Sequence, residues 1–115
     1  MQIHLIHGIH TKNEDPVVKQ LIPYLETIGL KVNYPDYGFI LGLETKRMNP
    51  LIVGTILPYI NQNDIIIGHS NGCAIAYGLM NQGANPVGLV FINGALTQQL
   101  VLHQEDFYFL YLFLL

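Results

Sequence analysis

The stretch that decides the fold is residues 64–72, Asp-Ile-Ile-Ile-Gly-His-Ser-Asn-Gly, in which an apolar run ends in a glycine-flanked serine. The three isoleucines are β-branched and uninterrupted, which is typical of a strand buried on both faces of a parallel sheet. The mostly apolar residues 73–80 that follow predict a helix directly after this strand. Ser70 is therefore expected on a sharp turn from strand to helix.

A turn of this kind suits a nucleophile. A serine hydroxyl reacts poorly in water and needs placement, a base and an oxyanion site. The turn exposes Ser70 beyond the carboxyl end of the sheet, beside the unpaired N–H groups of the next helix. Gly68 and Gly72 remove side chains that would collide with neighbouring backbone, and the N–H of Asn71 is available to an oxyanion. The alternative is a glycine-rich connector without chemistry, which fits the flanking strand and helix less well.

The segments on either side alternate between strand and helix patterns. Further strands are predicted at residues 3–6, 30–34 and 87–92. Helices are predicted from Pro16 to about residue 28, with a kink or a late start caused by Pro23, and at residues 51–60, disturbed near the end by Pro58. Residues 39–50 are expected to be irregular. This order predicts an α/β fold, a three-layer sandwich with a mostly parallel sheet and helices on both faces.

The loop after the first strand, His7-Gly8-Ile9, is placed to complete an oxyanion site. A second donor is expected from the loop after an earlier strand. Gly8 lets the chain turn, and the N–H of Ile9 is the candidate donor. Alone, the His-Gly pair fits an ordinary turn at the end of a strand better, but its combination with the serine turn favours the functional interpretation.

Four segments together, residues 5–8, 34–38, 68–72 and 90–94, resemble the α/β-hydrolase superfamily in its esterase- and lipase-like branch. The resemblance covers residues 2–96, and the serine turn is its specific part. It implies a partial α/β-hydrolase fold, a small acyl-ester substrate, and neither metal nor organic cofactor. It also implies that Ser70 is the nucleophile, that Asn71 and Ile9 supply the oxyanion donors, and that His69 is structural.

The acid and the histidine of that family follow the nucleophile in this order, on loops beyond later strands. The residues after Ile92 are fewer than the roughly 30 that another βαβ unit takes. His103 is the one histidine after Ser70, and Glu105 and Asp106 follow it, an order that departs from the family. Triads occur in several chain orders, so His103 is a candidate base, although a polar surface position is the better interpretation.

The chain is accordingly divided into a core at residues 1–96 and an atypical apolar tail at residues 97–115, and a truncated gene product is expected. The tail ends in Phe-Tyr-Phe-Leu-Tyr-Leu-Phe-Leu-Leu, which is shorter than the roughly 20 residues of a membrane-spanning helix. Two alternatives stay open for it. In the first, it forms a buried strand. In the second, it is an exposed apolar segment that binds a membrane surface or a partner, and it promotes self-association through an exposed apolar edge.

The composition of the chain limits the classes of molecule that it is expected to bind. Charged residues make up 11% of the chain, the net charge is −3, and no cluster of Lys and Arg exists. Phosphate binding needs such a cluster, so nucleic acid is not an expected partner. The single cysteine, Cys73, cannot form an internal disulfide, and no zinc-type spacing is present. The first residues lack the pattern of a secretory signal, so a cytoplasmic location is expected.

Two functions from different classes remain. The first is a serine hydrolase that acts on a carboxylic ester or a related acyl substrate through a Ser70 acyl-enzyme. The second is a catalytically inactive remnant or interaction module that keeps the fold but lacks the acid and the histidine. The serine motif favours the first, and the chain length favours the second.

Overall fold

A computed structural model describes residues 1–8, 16–35, 37, 45–92 and 111–114. Strands and helices alternate from residue 2 to residue 92, as the sequence predicts. The elements are β1 (Gln2–Ile6), α1 (Pro16–Thr27), β2 (Lys31–Asn33), α2 (Thr45–Ile56), a 3₁₀ turn (Leu57–Tyr59), β3 (Ile65–His69), α3 (Asn71–Asn81), β4 (Gly88–Ile92) and β5 (Tyr111–Leu114).

The strands form one sheet in the order β2-β1-β3-β4-β5. β2, β1, β3 and β4 run parallel to one another, and β5 is antiparallel to β4. The chain goes from β1 to β2 on one side and then crosses to β3 on the other side of β1. The carboxyl ends of β1 and β3 therefore flank the topological switch point, where open α/β sheets bind their ligands.

Helices cover both faces of the sheet, which confirms the predicted three-layer α/β sandwich. Successive strand residues point to opposite faces, so Leu5 and Ile67 pack with Leu25 of α1, while Ile6 and Ile66 face α2 and α3. The core under α2 and α3 is the larger one and consists of Ile6, Met48, Ile52, Val53, Ile56, Ile66, Cys73, Ile75, Ala76, Leu79, Leu89 and Phe91.

The beginning of α2 corrects the prediction that residues 39–50 are irregular. The helix begins at Thr45 and includes Pro50, although proline lacks an N–H and costs stability inside a helix. Met48 is only 4% exposed in the core below, so burial of this segment outweighs the local cost. The helix ends at Ile56, before the predicted residue 60, because the chain tightens into the 3₁₀ turn around Pro58. Residues 39–44 lie outside the described part of the chain.

Pro23 does not delay the start of α1, which is one of the two effects that the sequence predicts for it. The helix begins at Pro16 and runs through Pro23 to Thr27, so the expectation of a late start is wrong. Leu21, Ile22 and Leu25 lie against the sheet core. Packing of this apolar face stabilises the helix around the missing N–H.

Part of the predicted tail forms a strand. In β5, Tyr111 pairs with Phe91 and Leu114 pairs with Gly88, so this segment adds to the sheet beside β4. Residues 97–110 and 115 lie outside the described part, and the boundary at residue 96 stays a prediction. None of the helices described here has the length and apolar character needed to cross a membrane.

Candidate active site

Ser70 lies between β3 and α3, at the switch point of the sheet. Its φ is 55° and its ψ is −124°, and no other non-glycine residue in the described part has a positive φ. A backbone of this kind costs about 1–3 kcal/mol. Serine at the N-cap of a helix usually caps an N–H group with its side chain, but Ser70 makes no such bond. The turn therefore stores strain and leaves the hydroxyl uncommitted to the helix.

Backbone hydrogen bonds tie this turn to its surroundings. The N–H of Ser70 donates to the carbonyl of Ile92 at the end of β4 (3.1 Å), and the N–H of Cys73 donates to the carbonyl of Ser70 (3.0 Å). The N–H of Asn71 has no acceptor within the residues that the structure describes. It begins α3, whose dipole favours a negative charge at this end.

Two glycines allow the close packing of the turn. A Cβ on Gly68 would lie 2.6 Å from the carbonyl oxygen of Gly72, and a Cβ on Gly72 would lie 2.0 Å from the carbonyl oxygen of Ile6. Both distances are far below van der Waals contact, and the opposing atoms are backbone. A side chain at either position would push α3 away from β1 or β3, which would move Ser70.

The loop after β1 meets the serine turn. A Cβ on Gly8 would lie 3.1 Å from the Cβ of Ser70 and 3.5 Å from its Oγ. The first residues of the predicted oxyanion loop are therefore beside the serine, because β1 and β3 are neighbours in the sheet. Ile9, the predicted second donor, lies outside the described residues.

His7 is a structural part of this loop. It is fully buried, and its Nδ1–H donates to the carbonyl of Gly8 at 2.8 Å. Its ring stacks on Tyr37 with the centroids 4.0 Å apart and meets the edge of Tyr34 at 5.8 Å. The hydroxyl of Tyr37 donates to the carbonyl of His7. The two tyrosines thus hold the loop, a role that the strand predicted at residues 30–34 and the turn predicted after it did not reveal.

Asn49 is a neighbour of the site that sequence reasoning missed. Its Nδ2 donates to Oδ1 of Asn71 at 3.2 Å, and Nδ2 of Asn71 donates back to Oδ1 of Asn49 at 2.9 Å. The pair joins α2 to the first residue of α3. Asn49 lies in the segment predicted to be irregular, so no periodic pattern pointed to it.

Cys73 is close to the serine but buried. Its thiol is fully inaccessible and donates to the carbonyl of Gly68 at 3.1 Å. Burial raises the pKa of the Cys73 thiol to about 12, against a smaller opposing effect of the hydrogen bond with the backbone of Ile92. Because the thiolate is the reactive form, Cys73 does not compete with Ser70 as a nucleophile at neutral pH. His69, the last residue of β3, is half-buried.

His4 and Asp64 form a His–Asp pair near the amino ends of β1 and β3, at the opposite end of these strands from Ser70. Asp64 accepts hydrogen bonds from Nε2 of His4 (2.7 Å) and from the N–H groups of Gln2 (3.0 Å) and Asn61 (2.9 Å). Burial raises the pKa of the Asp64 carboxyl, but these bonds outweigh it, so the pKa lies below its ordinary 3.8. β3 separates Asp64 from Ser70, so this pair does not orient a base for the serine.

Within the described residues, no hydrogen bond joins the Ser70 hydroxyl to a histidine. His103, Glu105 and Asp106 lie outside the part of the chain that the structure covers. Within that part, no three His, Cys, Asp or Glu side chains come together in a way that could hold a metal ion. The arrangement therefore offers a placed hydroxyl and an N–H donor.

Comparison with solved structures gives the same fold. A crystal structure of a variant of PytH matches with a TM-score of 0.60 and 25% identity, and a crystal structure of the pyrethroid hydrolase PytH with BIF matches with 0.57 and 24%. Each match covers 84% of this chain and 41% of PytH, so the chain spans about two fifths of that protein. No protein-family model and no curated protein matches.

Proposed function

We propose that the chain is a serine hydrolase of the α/β-hydrolase type, acting on a carboxylic ester or a related acyl substrate. The observation that carries this proposal is the strained backbone of Ser70, whose hydroxyl does not cap α3 and which lies at the switch point of the sheet. Strained residues of this kind cluster at active sites. The neighbouring Asn71 N–H, without an acceptor in the described part of the chain, supports the same assignment.

The proposed reaction is acyl transfer through a covalent intermediate. Oγ of Ser70 attacks the substrate carbonyl carbon while its proton passes to a base. The resulting oxyanion accepts hydrogen bonds from the N–H groups of Asn71 and Ile9. The intermediate collapses as the alcohol leaves with the proton, and water then cleaves the acyl-enzyme by the reverse sequence.

The base is proposed to be a histidine. In such sites the imidazole takes the serine proton and later returns it to the leaving group. His103 is the candidate that this chain offers after Ser70. The structural similarity to PytH, a hydrolase, supports hydrolysis as the reaction class. The match covers 41% of PytH. That this chain carries a complete and active site is therefore itself part of the proposal.

A fluorophosphonate probe tests the nucleophile directly, because it phosphonylates activated serines. Ser70 is the only serine in the chain, so mass spectrometry of the labelled protein has one serine to find. We expect labelling of the parent chain and none of Ser70→Ala. The matched control is Thr55→Ala, which removes an exposed hydroxyl that bonds within its own helix and should leave labelling unchanged.

The outcomes separate the two functions considered for this sequence. Folded protein that the probe does not label would contradict the hydrolase and favour the inactive remnant. Where labelling occurs, His103→Ala tests the base. Removal of a general base slows such a reaction by about 100-fold or more, and an unchanged labelling rate would exclude His103 from that role.

A further inference from the structure

We propose that Asn49 is a positioning residue that holds the oxyanion donor of Asn71 in place. The inference rests on the proposed function for its catalytic meaning, but the geometry behind it is independent. Asn49 does not touch the reacting atoms. It acts through the side chain of Asn71, whose own backbone N–H is the proposed donor.

The link between the two residues is a closed pair of hydrogen bonds. Each carboxamide donates one N–H and accepts one, at 2.9 and 3.2 Å. Such a pair fixes the orientation of both side chains, because rotating either one breaks both bonds. Asn49 is half-buried and follows Met48, which is 4% exposed in the core. Asn49, which holds the Asn71 side chain, is therefore fixed in place by the packing of α2 against the core.

The pair also directs the Asn71 side chain toward α2 and away from a competing interaction. An asparagine side chain near the start of a helix readily accepts a hydrogen bond from nearby backbone N–H groups. Oδ1 of Asn71 accepts from Nδ2 of Asn49 on α2, and no backbone N–H of the described residues donates to it. The N–H of Asn71 thus keeps no acceptor among the described residues and stays available to an oxyanion.

The turn formed by Ser70 and Asn71 is consequently held from two sides. On the sheet side, the N–H of Ser70 donates to the carbonyl of Ile92. On the helix side, Asn49 holds the Asn71 side chain. An uncharged pair is suited to this place, since a carboxylate at position 49 would repel a developing oxyanion.

The kinetic test is fluorophosphonate labelling over a range of probe concentrations. Asn49→Ala should lower the labelling rate at saturating probe about tenfold, since a donor displaced by a fraction of an ångström stabilises the transition state less. The probe concentration for half-maximal rate should not change, because ground-state contacts are kept. Asn81→Ala, an exposed asparagine at the far end of α3, is the matched control and should label like the parent chain.

A double-mutant cycle tests whether Asn49 acts through Asn71. Asn71→Ala removes the same side-chain pair from the other side and keeps the backbone N–H. We expect both single variants and the Asn49→Ala/Asn71→Ala double variant to label at the same reduced rate. Additive losses would overturn the proposal, because they would mean that each asparagine acts alone.

A measurement without chemistry separates this proposal from the proposed function. The measurement is ¹⁵N relaxation of protein that has not been treated with the fluorophosphonate probe. The order parameters of the Asn71 and Gly72 amides should fall in Asn49→Ala and stay unchanged in Asn81→Ala. Unchanged amides would overturn the positioning role, whatever the labelling shows. Loosened amides in a chain whose parent is never labelled would support positioning and contradict the hydrolase.

Discussion

The two ends of the strand pair β1 and β3 use polar residues in opposite ways. At the amino end, Asp64 is 2% exposed and accepts three hydrogen bonds, one of them from His4. At the carboxyl end, Ser70 has a strained backbone and a side chain that does not cap its helix. Among the described residues, Asp64 is fully hydrogen-bonded at one end, whereas at the other the Ser70 hydroxyl does not cap its helix and the Asn71 N–H has no acceptor.

This difference shows that a His–Asp pair is not by itself a sign of catalysis. His4 and Asp64 have the residue types of a catalytic dyad, but their bonds join the starts of β1 and β3. The hydrogen bonds of a buried carboxylate stabilise the fold. Strain combined with an unused donor is the more informative sign of a functional site.

The largest expected effect comes from adding a side chain at Gly72, in the tightly packed turn at the carboxyl end of the strands. Gly72→Ala should lower the free energy of unfolding by about 3 kcal/mol or more, because its Cβ would meet the backbone of Ile6. The control is Gly54→Ala in α2, where a Cβ meets nothing within 4 Å and the gain in helix propensity is about 1 kcal/mol. Urea unfolding measures both. Equal effects of the two substitutions would break the comparison, since the turn would then not need its glycines.

A smaller effect is expected at the amino end. Asp64→Asn should cost about 2 kcal/mol at pH 7, because hydrogen bonds to a charged carboxylate become weaker or are lost. Glu26→Gln, which removes an exposed carboxylate on α1, should change stability little. Urea unfolding at several pH values measures both variants against the parent chain.

The pH dependence of the Asp64 effect has a defined sign. The folded pKa of Asp64 lies below its ordinary value of 3.8, so the unfolded chain binds this proton more tightly. Its stabilising contribution is therefore complete well above the unfolded pKa of 3.8 and is lost as the pH falls through the lower folded pKa. Parent and Asp64→Asn should converge in stability under acid. A constant difference down to pH 2 would contradict a charged Asp64 in the native state.

The smallest expected effect concerns the strain at Ser70. Ser70→Gly should raise the free energy of unfolding by about 1 kcal/mol, because glycine tolerates positive φ. This net value includes the opposing entropic cost of glycine, whose unfolded chain is more flexible. Ser70→Ala keeps the Cβ and should be neutral within about 0.5 kcal/mol. Thermal and urea unfolding compare the two. If Ser70→Gly were the less stable variant, the strain would be absent and the contrast between the two ends would weaken.

The sequence predicted most of the fold because its central strands carry a clear signal. Uninterrupted β-branched runs such as residues 65–67 have one good explanation in an α/β chain. The beginning of α2 was missed because Pro50 and the polar residues before it disfavour a helix locally. Burial of Met48 against the sheet decided that segment, and burial of this kind depends on a neighbour that the local sequence does not contain.

The candidate site likewise has a part that the sequence predicted and a part that it did not. The glycine-serine turn was predicted from residues 68–72 together with the strand and helix patterns on either side, since the chemistry and the sterics are local. Asn49, Tyr34 and Tyr37 were not assigned roles, because each acts on a residue far away in sequence. Their contacts exist only once β2 lies beside β1 and α2 beside α3.

The sequence by itself thus determined the layered α/β architecture and the place of Ser70 at a strand-to-helix turn, because periodicity and glycine spacing are local properties of the chain. The tertiary structure decided that His4 binds Asp64 away from the serine, that Gly8 lies against Ser70, and that Asn49 holds Asn71. Each of these contacts depends on strand order and helix packing, which bring distant residues within a few ångströms.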